Sequence, residues 1–294
     1  MNRARREFLG ASALAAVTAR TAAAAPRHVI SLAAWSLVKS FRAGKWKNLD
    51  LPKILSERMK INALEYVNQF FENPTLTYLR RLRGICERAG VTSVLIMVDE
   101  EDQMASPDKE QRREAAEAHR KWVDIAHFLR CHAIRCNMRG GPAEWKEDKD
   151  LVERAAESFR NLLDYAKGSG VKVLIENHGG SSSDPDILAA LMKTVKDPQF
   201  GLLVDLGNWN KGDDHYEAIR KTLPWAKGIS VKDIPGWDLQ KKLQMCLESG
   251  YQGYWGIESS ARTPEDASPE AIFEAEINAA LKIKAVIEQT VFKK

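Results

Sequence analysis

The chain has 294 residues, of which 44% are hydrophobic, and a formal net charge of +4. Residues 1–25 carry Arg3, Arg5, Arg6 and Arg20 against Glu7, a net of +3, which leaves about +1 for the remaining residues. This near-neutral balance excludes the basic surface of a nucleic-acid-binding protein. The length suits either two small domains or one large α/β barrel.

The first 25 residues have the pattern of an export signal. Arg5 and Arg6 precede an alanine-rich, mildly apolar stretch, and small residues suited to cleavage end near Ala25. The pattern resembles a twin-arginine signal and predicts a periplasmic or otherwise exported protein. Arg20 interrupts the stretch, so a membrane span of about 20 apolar residues is not available, and we expect no membrane association after signal removal. The alternative is a chance arginine pair in a disordered tail.

Eight strand-like segments begin at His28 and alternate with amphipathic segments. The strand-like segments are short and rich in Val and Ile, as expected of strands covered on both faces. They lie at residues 28–35, 61–67, 91–98, 132–138, 171–176, 200–205, 227–233 and 253–258. Helices with apolar residues at three- and four-residue intervals are predicted between them, including 52–60, 75–90, 108–130, 150–170 and 268–289.

Eight such units in about 270 residues predict a single (β/α)8 TIM barrel over residues 26–294. A doubly wound open sheet is the alternative. It would usually carry a glycine-rich phosphate turn after its first strand, and residues 32–44 contain none. Four cysteines lack a C-x-x-C pair and are predicted to be reduced core residues, although a Cys131–Cys136 disulfide stays open.

Three carboxylates end predicted strands: Glu176 the fifth, Asp205 the sixth and Glu258 the eighth. The active site of a TIM barrel lies at this end of the strands, so the three should converge. Gathered carboxylates raise one another's pKa unless a positive charge neutralises them, and a divalent cation would do so. Oxygen ligands favour Mn²⁺, Mg²⁺ or Co²⁺ over zinc, and we expect Mn²⁺. The alternative for each carboxylate is a helix cap or an ion pair with Arg or Lys.

Four motifs occur in order over residues 173–259: "VLIENHGG", "GLLVDLGNWNKGD", "ISVKD" and "LESGYQGYWGIES". Through them the sequence resembles the xylose isomerase-like barrels, specifically the sugar phosphate isomerase/epimerase group. The resemblance implies a metal held by Glu, Asp, His and Glu from strands five to eight. It also implies that Glu176 and Glu258 act as acid and base on opposite faces of an enediolate and bind the metal together with Asp205.

The sequence departs from that group at two places. Ser230 stands where the group usually has the His of a His-x-Lys-Asp motif, so the fourth ligand would be water, a nearby donor such as His178, or absent. The following loop is shortened to "IPGWDLQ" at residues 234–240. Trp237 in this loop is expected either to cover the substrate or to pack against the protein.

Further polar residues near the strand ends are candidate substrate contacts. His178 follows the fifth strand, Asn208 lies three residues beyond Asp205, and Lys232 lies next to the site, where it could neutralise an oxyanion or a phosphate. The alternatives are a structural role for His178, a loop cap for Asn208 and a salt bridge between Lys232 and Asp233. Further candidates for the pocket lining near the strand ends are Trp35, Glu65, Asp99 and Arg139, with core packing or ion pairs at the rim as the alternative.

Together these features predict an exported, metal-dependent isomerase or epimerase, or a related lyase, that acts on a small sugar or keto-sugar. The alternative is a catalytically degenerate barrel that binds a carbohydrate, motivated by Ser230, Asn208 and the short loop. A nuclease is disfavoured because few metal ligands and little positive charge remain. The substrate, the reaction within this group and the oligomeric state stay open.

Overall fold

In the computed structural model, which describes residues 28–101 and 103–293, eight parallel strands close into one barrel. Neighbouring strands follow the chain order, and the last strand pairs with the first. The strands are β1 His28–Ala33, β2 Ala63–Val67, β3 Thr92–Val98, β4 Ala133–Cys136, β5 Lys172–Glu176, β6 Phe200–Asp205, β7 Ala226–Val231 and β8 Gly253–Ile257. The predicted (β/α)8 fold is therefore confirmed, and the open sheet is excluded.

Each strand lies within its predicted segment, except that β7 begins one residue earlier, at Ala226. The α-helices are α1 Val38–Arg42, α2 Leu51–Ile54, α3 Leu76–Ala89, α4 Lys109–Ala118, α5 Arg120–Leu129, α6 Leu151–Ala166, α7 Pro185–Val195, α8 His215–Thr222, α9 Leu239–Glu248 and α10 Pro269–Val291. Within the described residues no helix has both the length and the apolar run that a membrane crossing needs. The predicted export signal lies outside the described residues.

Several helix ends lie at capping residues in the sequence. The Asp184 side chain accepts hydrogen bonds from two backbone amides at the start of α7, and the Ser268 side chain accepts one from the backbone amide of Ala271 at the start of α10. Gly90 ends α3 in the left-handed conformation, with φ of 65°. Gly170 does not cap a helix, because α6 already ends at Ala166.

The predicted helix at 108–130 is divided into α4 and α5 at His119. The buried imidazole of His119 needs a hydrogen-bond partner, and its Nδ1 lies 2.8 Å from the carbonyl oxygen of Ala115. The predicted helix at 52–60 also changes form, from α2 to a π-helical turn at Leu55–Met59. Neither change moves a strand end.

The strands β2, β4 and β6 are buried along their whole length, as strands covered on both faces should be. Three charged side chains lie among the apolar ones: Glu65 on β2 and Arg135 on β4, each 1% exposed, and Asp205 at the end of β6, which is fully buried. All four cysteines are free and buried, which confirms the prediction of reduced core residues and excludes a Cys131–Cys136 disulfide.

Candidate active site

The three predicted carboxylates lie together at the C-terminal ends of the strands. Glu176 and Asp205 are the last residues of β5 and β6, and Glu258 directly follows β8. One carboxylate oxygen from each lies within 4.8 Å of the other two. Glu176 and Asp205 are fully buried, whereas the Glu258 side chain is 16% exposed. We call Glu176, Asp205 and Glu258 the acid triad.

Lys232, just after β7, places its ammonium group between two members of the acid triad. Its Nζ lies 3.0 Å from Asp205 Oδ2 and 2.9 Å from Glu258 Oε1, and it donates to Asn208 Oδ1 at 3.1 Å. These contacts differ from the predicted alternative of a salt bridge with Asp233. Burial alone would lower the pKa of Lys232, but the surrounding carboxylates raise it above its usual value.

Arg135 is the cationic partner of Glu176, the remaining member of the acid triad. Its Nε lies 2.8 Å from Glu176 Oε2, and its Nη1 donates to Asp99 Oδ1 at 2.6 Å. Burial raises the pKa of Glu176, although the Arg135 guanidinium opposes this shift. Arg135 is not among the site residues predicted from the sequence. The signal was present in "HAIRCNM", because an arginine inside a buried strand requires acidic partners.

Asp99, which follows β3, extends this network to the barrel mouth. It accepts hydrogen bonds from Asn137 Nδ2 at 2.8 Å and from the indole Nε1 of Trp35 at 3.1 Å. Burial would raise the pKa of Asp99, but the Arg135 guanidinium and the hydrogen bond from Asn137 hold it below its usual value. Trp35, Asp99, Arg135 and Glu176 therefore form one connected chain of polar contacts.

Amide side chains fix the ends of β5 and β6 to each other. Asn177 bonds both the backbone carbonyl and the backbone amide of Asp205, at 2.9 and 2.8 Å. Asp205 Oδ1 in turn accepts from the backbone amides of Gly207 and Asn208, at 2.7 and 2.8 Å. The side chain of Asn208 bridges the site, since its Nδ2 donates to Glu176 Oε1 at 3.2 Å while its Oδ1 holds Lys232.

His178 and Ser230 lie at the edges of this arrangement. The ring nitrogen Nδ1 of His178 lies 3.2 Å from Arg139 Nη2, and burial lowers the pKa of His178 to about 4. His178 is not part of the group of described residues that are close enough to share a metal. Ser230 Oγ donates to Glu258 Oε2 at 3.3 Å.

A cavity of about 680 Å³ opens beside the acid triad. Its polar lining includes Glu258, Arg135, Asp99, Asn137, Arg139 and His178, together with the aromatic face of Trp35. Three of the four further candidates from the sequence, Trp35, Asp99 and Arg139, are thus in the lining. The fourth, Glu65, lies inside the barrel, where its Oε1 accepts from Ser31 Oγ at 2.6 Å.

Trp237 packs against the protein. Its ring stacks on that of His215, with centroids 4.0 Å apart and an interplanar angle of 6°, and contacts the edge of Tyr216. His215 also lies 3.2 Å from the buried Nζ of Lys242. These contacts favour the packing role for Trp237 over that of a substrate cover.

The donors of the acid triad fit a hard divalent cation. They are carboxylate oxygens within 4.8 Å of one another, the ligand type that Mn²⁺ and Mg²⁺ prefer. Glu176 Oε2 and Asp205 Oδ2 are buried and have no partner with hydrogen-bond geometry among the described residues, although each faces a cationic side chain at 2.8 or 3.0 Å. The acid triad could therefore hold a divalent metal ion.

Solved structures with the same fold include sugar epimerases. The chain is similar to a D-tagatose 3-epimerase-like protein, with 17% identity, a TM-score of 0.69, and coverage of 90% of this chain and 97% of that one. It is also similar to D-psicose 3-epimerase with D-tagatose from Clostridium cellulolyticum H10, with 14% identity, a TM-score of 0.72, and coverage of 90% and 99%. At these identities the likeness establishes the fold alone.

A third similar structure is an IolI protein with a bound zinc atom, with 13% identity, a TM-score of 0.72, and coverage of 89% and 99%. No curated protein matches the sequence. The sequence profile of the xylose isomerase-like TIM barrel matches residues 56–282. Because this match spans more than half of the chain, the protein belongs to the xylose isomerase-like TIM barrel family.

Proposed function

We propose that the protein is an isomerase or epimerase, or a related lyase, that moves a proton next to the carbonyl of a keto-sugar. The observation that carries this proposal is the convergence of Glu176, Asp205 and Glu258 beside a polar cavity of about 680 Å³. Similar structures described as D-tagatose and D-psicose 3-epimerases support the substrate class.

The reaction requires a stabilised enediolate. A C–H bond beside a carbonyl is weakly acidic, and the negative charge that develops on oxygen when its proton leaves needs a positive partner. A divalent metal, by preference Mn²⁺ and otherwise Mg²⁺ or Co²⁺, held by Glu176, Asp205 and Glu258, would supply the Lewis acidity for the carbonyl and hydroxyl oxygens. The Arg135 guanidinium, which lines the cavity, adds a fixed positive charge.

The two glutamates would carry the proton. Glu258 lines the cavity and would take the proton from the carbon beside the carbonyl. Glu176 would return a proton from the other side of the substrate. The side chain of Asn208 donates to Glu176 Oε1 at 3.2 Å, so it must turn away before Glu176 can reach a substrate.

The cavity lining suits a polyhydroxy ligand. Trp35 offers an aromatic face for the apolar side of a sugar ring, and its indole nitrogen is fixed by Asp99. Asn137, Arg139 and His178 provide hydrogen-bonding groups for hydroxyls around the same space. His178 and Lys232 are proposed substrate contacts, His178 through its place in the lining and Lys232 through its ammonium group.

The direct test is a panel of keto-pentoses and keto-hexoses incubated with the purified protein and Mn²⁺, followed by chromatography of the sugars. We expect at least one sugar to be converted into an isomer or epimer, and conversion to stop after chelation. The same panel in a calorimeter measures binding. A sugar that binds but is never converted would contradict the proposed isomerase, epimerase or lyase activity.

The second candidate function is a carbohydrate-binding barrel without turnover. A specific observation favours it: Lys232 pairs with two of the three carboxylates that a metal would use. Binding of a sugar without conversion, at any metal concentration, is the outcome that would support this candidate.

We also propose that the protein is exported. The support is the pair Arg5 and Arg6 before an alanine-rich stretch that ends near Ala25. A reporter fused to residues 1–25 should reach the periplasm, and the double change Arg5→Lys and Arg6→Lys should retain it in the cytoplasm. Equal export of both fusions would contradict a twin-arginine route.

A further inference from the structure

The ammonium group of Lys232 lies among the polar groups of the candidate site. An ammonium group has three N–H donors, and Lys232 Nζ has three oxygen partners within 3.1 Å: Asp205 Oδ2, Glu258 Oε1 and Asn208 Oδ1. The side chain is 16% exposed, as is that of Glu258, while Asp205 is fully buried. The ion pairs of Lys232 with Asp205 and Glu258 therefore differ from a surface salt bridge, whose partners are largely hydrated.

The charges around the site are already partly balanced by the protein itself. Glu176 faces the Arg135 guanidinium, while Asp205 and Glu258 share Lys232. The three carboxylates of the acid triad against these two cations leave a formal charge of −1, and Asp99, which shares Arg135, adds a further negative charge. The electrostatic reason for a divalent ion, namely the repulsion among three carboxylates, is thereby reduced.

We propose that Lys232 is a built-in cation of the acid triad, and that its ammonium group and a divalent metal ion are alternative occupants of it. This inference rests on the proposed metal site but not on turnover. A metal binds carboxylate oxygens at about 2.0–2.6 Å. An ion bound to the oxygens of Asp205 and Glu258 that Lys232 contacts would therefore lie within about 5 Å of Nζ.

Two positive charges at that separation repel strongly in a buried site, where the effective dielectric constant is low. The ammonium group must therefore leave Asp205 and Glu258 before a metal can bind there. Metal affinity in this protein is consequently set by the contacts of Lys232 as well as by the three ligands. Removing the charge of Lys232 should strengthen metal binding, although it removes a side chain from the site.

The experiment is a calorimetric titration of metal-free protein with Mn²⁺. We expect Lys232→Met to bind one Mn²⁺ per chain at least tenfold more tightly than the unaltered protein. The matched control is Lys193→Met, an exposed lysine on α7, which should change the affinity by less than twofold. Equal, weaker or undetectable Mn²⁺ binding by Lys232→Met would overturn the proposal.

A second set of measurements controls for the case in which Lys232→Met does not fold. Lys232→Gln removes the charge but keeps an amide donor, and it should also gain Mn²⁺ affinity. Mn²⁺ should raise the melting temperature of either variant more than that of the unaltered protein, and should recover a variant that does not fold without metal. Failure of Mn²⁺ to recover such a variant would also overturn the proposal.

The titration also separates this proposal from the proposed function. Binding is measured without substrate, so a protein that converts no sugar can still show the tenfold gain. The double variant Lys232→Met with Glu176→Gln should lose the gain, because one ligand is then neutral. A gain that persists in the double variant would mean that the metal binds elsewhere and would contradict the proposal.

Discussion

Arg135 Nη1 donates to Asp99 Oδ1 at 2.6 Å inside the mouth of the barrel, where the Arg135 side chain is only 2% exposed. The same guanidinium faces Glu176 at 2.8 Å. Arg135 thus connects the end of β3 to the end of β5 and supplies a positive charge to two buried or half-buried carboxylates. A charge in this position organises the site and is also needed for stability, because its loss would leave both carboxylates without a cation.

We expect Arg135→Met to lower the free energy of unfolding by about 3–5 kcal/mol, since one partner of a buried ion pair is removed. Chemical denaturation measures this change. The control is Arg113→Met on α4, an exposed arginine that pairs with Glu110 and Glu117, which should cost less than about 1 kcal/mol. Equal free energies of unfolding of the two variants would show that the ion pairs of Arg135 stabilise the fold no more than a surface ion pair does.

Glu258→Gln should lower the rate of sugar conversion by about 10² to 10⁴, the usual contribution of a general base, and leave the fold intact. Glu258 follows a strand end at the cavity and is partly exposed, so it packs little apolar surface. Initial rates and circular dichroism check both parts. Glu248→Gln, at the exposed end of α9, should leave the rate unchanged. Full activity of Glu258→Gln would refute its role in proton transfer.

Glu65 should make stability depend on pH. Burial raises the pKa of Glu65 to about 7, while Ser31 and Arg135 oppose the shift and Glu258 adds to it. The unfolded carboxyl group loses its proton near the ordinary glutamate pKa of 4.5, so the folded state binds more protons between pH 4.5 and pH 7. Stability is therefore highest at low pH for this group and falls as pH rises from 4.5 to 7, by at most about 3 kcal/mol.

The variant Glu65→Gln removes this titration while keeping a side chain of the same size. The free energy of unfolding of the variant should not fall between pH 4.5 and pH 7 as that of the unaltered protein does. At pH 8 the variant should be more stable than the unaltered protein. Urea denaturation between pH 5 and pH 8 measures both. A variant with the same pH profile as the unaltered protein would show that Glu65 is ionised throughout this range.

Ser230→His should tighten Mn²⁺ binding, because imidazole is a better neutral ligand than a hydroxyl group. Ser230 Oγ already lies 3.3 Å from Glu258 Oε2, so the new ring would begin beside a member of the acid triad. Calorimetry of metal-free protein gives the change. An unchanged affinity would mean that β7 does not direct residue 230 at the metal site.

The sequence predicted the features that depend on local pattern and on strand order. Runs of Val and Ile gave the strands, and their number gave the closed barrel. Glu176, Asp205 and Glu258 could be placed at one rim because the ends of parallel strands meet there. In these cases a residue's position along the chain is enough to fix its position in the fold.

Pairings between side chains could not be predicted in this way. Lys232 has Asp233 beside it in sequence, yet it contacts Asp205 and Glu258, because closure of the barrel brings the ends of β6 and β8 to either side of β7. Arg135 finds its acidic partners on β5 and after β3 for the same reason. These pairings depend on the directions of side chains on neighbouring strands. The spacing of residues along the chain does not determine those directions.

Solvent deuterium uptake tests the central claim most directly. A keto-sugar that binds the protein in calorimetry is incubated with it in D₂O with Mn²⁺, and NMR follows the proton on the carbon beside the carbonyl. The proposed chemistry at Glu176 and Glu258 predicts that deuterium replaces this proton with the unaltered protein and not with Glu258→Gln. A bound sugar that keeps its proton indefinitely would contradict enediolate chemistry at this site.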